Sequence, residues 1–199
     1  MIKIREILTI TSVLWLATGH AQQAEQDSIA RSRILMNQNN YYILGAWAGA
    51  NIIQGTISAS NTKGSEHHLH QMNAYWNTVN LAVAGIGLLG IRKQLNRHYT
   101  LTDNINAQQK TEKLLLLNSG LDVAYIATGL YMKERGTRLG NEKTEGYGGS
   151  LLLQGSFLLV FDVIQYFNHR RNGRLLENQL NGLQLGAAGS GLGLTYRFR

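Results

Sequence analysis

Asp122 and Asp162 are the residues of this 199-residue chain best placed to do chemistry. Each stands inside an apolar run, where insertion of a carboxylate costs about 2.5–3.5 kcal/mol, so each is expected to face a bundle interior or a water-filled cavity. Each has a polar neighbour three residues on: Tyr125 follows Asp122 and Gln165 follows Asp162. The same spacing joins Asn51 to Gln54 and Asn77 to Asn80. Residues three apart share one helix face, so four helices can turn these pairs toward a common axis. Asn73, Asn77 and Asn80 fall at i, i+4 and i+7, and so do Asn118, Asp122 and Tyr125, which makes each set one helical stripe. Two duplicated helical hairpins would produce that echo. These ten residues could share a proton, hold a cation through carboxylate and amide oxygens, or bind a small polar ligand or a lipid head group. A plainer role stands beside these: hydrogen bonds among them that lock helices together, worth ~0.6 kcal/mol on average in a membrane.

Other chemistries find little support. The chain has no cysteine, which excludes disulfides, thiolate metal sites and a cysteine nucleophile. His67, His68 and His70 beside Glu66 offer imidazole ligands, but adjacent histidines near Ser and Gly read as solvated surface, and no His-Glu-x-x-His pattern accompanies them. No catalytic motif, metal site or cofactor is expected, and the residues point away from an enzyme. The net charge is +7. Its basic residues flank apolar runs and form no stripe with stacking aromatics, so nucleic acid is not an expected partner. Arg170, Arg171 and Arg174 read as ordinary flanking charge, with contact to anionic head groups as the alternative.

The elements that must position the polar residues are apolar helices. Residues 1–21 read as a signal peptide: Lys3 and Arg5 precede the apolar run from Ile7 to Ala17, and small residues near Ala21 close it. Residues 22–40 form a polar segment, expected as a loop or short surface helix. Residues 41–181 form the membrane domain, with apolar windows at 41–60, 72–91, 113–132 and 148–167. Each has the length that spans ~30 Å of hydrocarbon. Tyr and Trp gather near the window ends, as interfacial anchors do. Gly45, Gly49, Gly85 and Gly87 read as helix-packing surfaces. In residues 182–199, Leu192, Leu194, Tyr196 and Phe198 alternate with Gly191, Gly193, Thr195 and Arg197, which predicts a short β-hairpin. A mean hydropathy of −0.17 keeps a soluble exported bundle as an alternative. An entire outer-membrane barrel would need many more alternating segments.

The predicted fold is therefore all-α: a four-helix transmembrane bundle after a signal peptide, ending in a short hairpin. Export places the amino-terminal side of the domain outside, whereas twice as many Lys and Arg residues on that side argue for the cytoplasm. We give the export signal precedence. The runs Gly45 to Ile52 and His70 to Leu81 resemble an uncharacterised family of small bacterial multi-span membrane proteins. The resemblance implies a bacterial envelope location, the inner membrane ahead of the outer, and no known activity. Partners expected are the lipid bilayer and a small polar ligand or cation, with self-association allowed. The functional expectation is a structural or binding bundle, set against a proton-coupled carrier or membrane enzyme using Asp122 and Asp162.

Overall fold

The computed structural model describes the backbone of residues 4–181, 183–188 and 191–196 and the side chains of residues 23–178. Four helices make up the body: α1 (Ile4–Asn61), α2 (Gly64–Leu95), α3 (Leu101–Leu139) and α4 (Glu142–Asn181). They are long because nothing interrupts them, the chain having no proline. Reversals come where the backbone can turn. Gly64 opens α2 at φ 64° and Gly140 closes α3 at φ 65°, a left-handed conformation that costs glycine nothing. Thr100 starts α3 with a capping box: its hydroxyl accepts from the Asp103 N–H, and the Asp103 carboxylate accepts from the Thr100 N–H.

The turn between α2 and α3 is pinned to α1 by one carboxylate. Asp27 Oδ2 lies 2.7 Å from His98 Nδ1, while Oδ1 accepts from the Tyr99 N–H at 3.0 Å. The His98 hydrogen bond, followed by the Tyr99 N–H, holds the Asp27 carboxyl below the usual carboxylate range. A carboxyl lowered in the folded state contributes stability above its unfolded pKa and loses it as pH falls through the folded value. The thermal midpoint is therefore expected to drop as pH is taken below about 4. Asp27→Asn should flatten that dependence, and an equally steep acid limb in the variant would assign it to other carboxyls.

Glycine decides how the helices meet. On α3, Asp122, Ile126, Gly129, Lys133 and Gly136 recur every three or four residues, a coiled-coil seam. A Cβ on Gly129 would stand 2.8 Å from the Gly148 carbonyl oxygen, one on Gly136 would strike the Glu145 backbone, and one on Gly148 would strike Lys133. The end of α3 thus meets the start of α4, so the two are antiparallel. A Cβ on Gly146 would strike Ser65 at the start of α2, so α2 and α4 run parallel. Gly55 brings α1 against His70 and Ala74 of α2. By contrast, no Cα of α2 lies within 8 Å of one of α3. Two antiparallel hairpins, α1–α2 and α3–α4, therefore join along α2 and α4. Of the glycines expected to pack, Gly45 meets Ala84 and Gly87 meets Tyr41, but nothing lies within 4 Å of a Cβ on Gly49 or Gly85. The closest seams use glycines nearer the turns. The echo of Asn73, Asn77 and Asn80 in Asn118, Asp122 and Tyr125 relates α2 to the antiparallel α3.

Large polar side chains lie inside and large apolar ones outside. His169, Gln154, Asn73, Asn77 and Asn104 are among the largest fully buried side chains, while Leu89 is 83% and Ile86 72% exposed. Among the described residues, three helices are long and apolar enough to cross a membrane: α2, α3 and the stretch Glu142–Asn178 of α4. The expected span at 41–60 is not among them, because Asn51, Gln54, Thr56, Ser58 and Ser60 dilute its Ile and Ala.

Two expectations for the ends need restating. Residues 23–40 are neither loop nor short surface helix. They continue α1 without a break and bury Ile29, Ala30, Arg33 and Ile34, which recur one turn apart. The side chains of the expected signal peptide lie outside the described residues. So do those of β1 (Leu183–Ala188) and β2 (Gly191–Tyr196), two backbone strands paired antiparallel, and with them the apolar face expected of a hairpin.

Candidate functional site

Because α2 and α3 stand apart, a cleft of ≈ 390 Å³ lies between them. α2 contributes Trp76, Val79, Asn80 and Val83; α3 contributes Asn118, Leu121, Asp122 and Tyr125. Leu158, Phe161 and Asp162 of α4 and Leu44 of α1 complete the lining. Asp122 and Asp162 are buried, at 3% and 6% exposure. Asn118, Asp122 and Asp162 stand together in that lining. Trp76 and Tyr125 meet edge to face, 4.9 Å between centroids, and bridge the two helices. Two buried polar atoms on lining residues have no partner among the described residues: Asp122 Oδ2, an acceptor, and Trp76 Nε1, a donor.

Behind the cleft runs a second polar network. Asn80 Nδ2 donates to Asn77 Oδ1 at 3.3 Å, and Asn77 Nδ2 donates to the Asn73 carbonyl at 2.9 Å. Asn73 Oδ1 accepts from Ser150 Oγ at 2.8 Å and from Gln154 Nε2 at 3.0 Å. Gln154 Oε1 in turn accepts from Trp47 Nε1 at 3.1 Å. One chain of hydrogen bonds thus links α1, α4 and α2 as far as the cleft residue Asn80.

Five of the ten residues singled out by sequence, Asn80, Asn118, Asp122, Tyr125 and Asp162, line the cleft. Asn73 and Asn77 sit in the network behind it. Gln165 is buried one turn beyond Asp162 and is not part of the lining. The pair on α1 departs from the expected axis. Asn51 is spent on its own helix, donating to the Trp47 carbonyl at 2.9 Å, and Gln54 lies exposed with Ser58 and His70. Ala48 and Gly55 define the buried face of α1, and Gln54, six residues beyond Ala48, lies about 240° round the helix.

Sequence reasoning missed a third polar cluster, at the far end of the bundle. Arg33 is 2% exposed, and its Nη1 donates to Asn104 Oδ1 at 2.9 Å while the guanidinium lies 5.2 Å from the Tyr99 ring centroid. Burial pushes its pKa below the usual value. Nearby, Asn172 Nδ2 donates to Gln108 Oε1 at 3.2 Å, and Gln108 donates to the His169 carbonyl. The spacing of Asn104 to Gln108, and of His169 to Asn172, is the one-face signal used elsewhere, but these pairs fall outside the apolar windows. Among the described residues no group of three or more acids, histidines or cysteines is placed to hold a metal ion.

A family model described as a family of unknown function (DUF6992) matches residues 43–163. The chain belongs to the DUF6992 family. No curated protein and no solved structure matches it. The DUF6992 match begins one residue before Leu44 and ends one residue after Asp162, so it encloses the whole cleft lining and the network from Trp47 to Gln154. Arg33, His169 and Asn172 lie outside it. Both runs that carried the sequence resemblance, Gly45 to Ile52 and His70 to Leu81, fall within the DUF6992 region.

Proposed function

We propose that this DUF6992 protein is a non-enzymatic, membrane-embedded component of the bacterial envelope whose α2/α3 cleft holds a small polar or cationic ligand. Residues 1–21 would direct export, and residues 182–199 would serve as a terminal hairpin or tail. The observation that carries the reading is convergence: Asn80, Asn118, Asp122 and Asp162, from three helices, meet in one cleft. Around them the outer faces of those helices are apolar. The inner membrane suits helical spans, whose backbone polar groups are satisfied within each segment.

Two measurements test this. Alkaline extraction of membranes should leave the protein in the pellet; recovery in the aqueous phase removes the membrane reading. In reconstituted vesicles, methylammonium should perturb tryptophan emission saturably in the wild type. Asp122→Asn/Asp162→Asn should weaken that response about tenfold, the loss expected when about 1.4 kcal/mol of charge-assisted hydrogen bonding goes. An unchanged response in the double variant makes the acids structural. A second reading, proton-coupled transport, draws on the two buried carboxyls that share the cleft. It requires acid-pulse proton uptake by vesicles that the double variant abolishes.

A further inference from the structure

The cleft opens sideways, and that bears on what enters it. Its rims are apolar and outward-facing: Val79 is 64% and Val83 51% exposed on α2, and Leu121 is 44% exposed on α3. Its floor is polar and acidic, with Asp122 and Asp162 and no Lys or Arg among the described lining residues, although the chain as a whole carries +7. The gap between α2 and α3 is closed at one end by the turn at residues 96–100 and spanned further along by Trp76 and Tyr125. Between those points no backbone of α2 approaches α3. A molecule reaching the floor through that gap passes the apolar rims. The unpartnered acceptor then defines its head: Asp122 Oδ2 calls for a donor or cation, and the neighbouring rings of Trp76 and Tyr125 suit a cationic group.

Resting on the membrane-embedded reading above, we propose that the α2/α3 cleft takes a membrane-dissolved amphiphile with a protonated amine head, which enters laterally between the helices. The head pairs with Asp122 and Asp162, and the tail lies along Val79, Val83 and Leu121. A volume of ≈ 390 Å³ accommodates the head and part of the chain, the remainder extending into lipid.

The full chain in phosphatidylcholine vesicles is titrated with dodecylammonium, with laurate as an anionic control of similar tail and methylammonium as the head alone. Intrinsic emission is followed, and Trp76→Phe identifies which of the three tryptophans responds. Dodecylammonium should bind saturably and at least about tenfold more tightly than methylammonium, since even two buried CH₂ groups contribute ~1.6 kcal/mol. Laurate should give no saturable change. Asp122→Leu should weaken dodecylammonium about tenfold or more. Val83→Trp, which narrows the mouth at an exposed position, should weaken it comparably if the floor variant fails to fold. Equal binding of laurate, or unchanged affinity in Val83→Trp, overturns the proposal. Methylammonium binding with no gain from the tail overturns lateral entry while leaving the polar site standing. Silence from both amines removes the two together.

Discussion

Gly136→Leu is expected to part α3 from α4 and lower the unfolding free energy by ~3 kcal/mol, the upper end of overpacking penalties. The reason is what a side chain there would meet. A Cβ on Gly136 strikes the Glu145 backbone, which cannot rotate away as the tip of a flexible side chain can. The wedge would also lift Gly129 from Gly148 and Leu152 two turns along the seam. Gly120→Leu is the matched control on the same helix: nothing lies within 4 Å of its Cβ, so its effect should stay within ~0.5 kcal/mol. Helical circular dichroism during detergent-denaturant titration measures both. Similar midpoints for the two variants would mean that α3 and α4 do not meet along Gly136.

Asn73→Leu is the second large effect, expected at ~2–3 kcal/mol. Asn73 Oδ1 is shared by two buried donors, Ser150 Oγ–H and Gln154 Nε2–H. Leucine fills the volume but leaves both without that acceptor, and each buried unpaired group costs about 1–3 kcal/mol. Gln154 also holds the Trp47 indole N–H, so the loss should reach α1 as a shift in Trp47 emission. Gln54→Leu, at an exposed amide on α1, should do neither. A change below ~0.6 kcal/mol for Asn73→Leu would match the average hydrogen bond between membrane helices and make the network incidental to stability.

Much of this site was legible because polar residues in apolar runs carry a period. Asn80, Asn118, Asp122, Tyr125 and Asp162 were found from spacing alone, and they line one cleft. Asn51 and Gln54 have the same spacing and were misplaced, because spacing gives a shared face without saying which way the face points. The buried side of α1 is set instead by small residues, Ala48 and Gly55, whose value lies in what they permit to approach. Gln154 was legible only as a residue diluting an apolar window, since its partners Asn73 and Trp47 are remote in sequence. The separation of α2 from α3 was not legible at all. Sequence neighbours joined by a short turn are expected to pack, and here α4 inserts its glycine-lined face against α2 instead.

The acids and the glycines belong to the same rows. Asp122, Gly129 and Gly136 are seven residues apart on α3, as are Gly148, Gly155 and Asp162 on α4. Each carboxyl is thus the next rung of a ladder whose other rungs clamp the helices at one fixed height. Adding a single residue between Asp122 and Gly129 would swing the acid about 100° off that ladder while the clamp below stayed in register. The distance between the two acids is therefore set by gearing several turns away, and loop changes that spare the rungs leave it untouched.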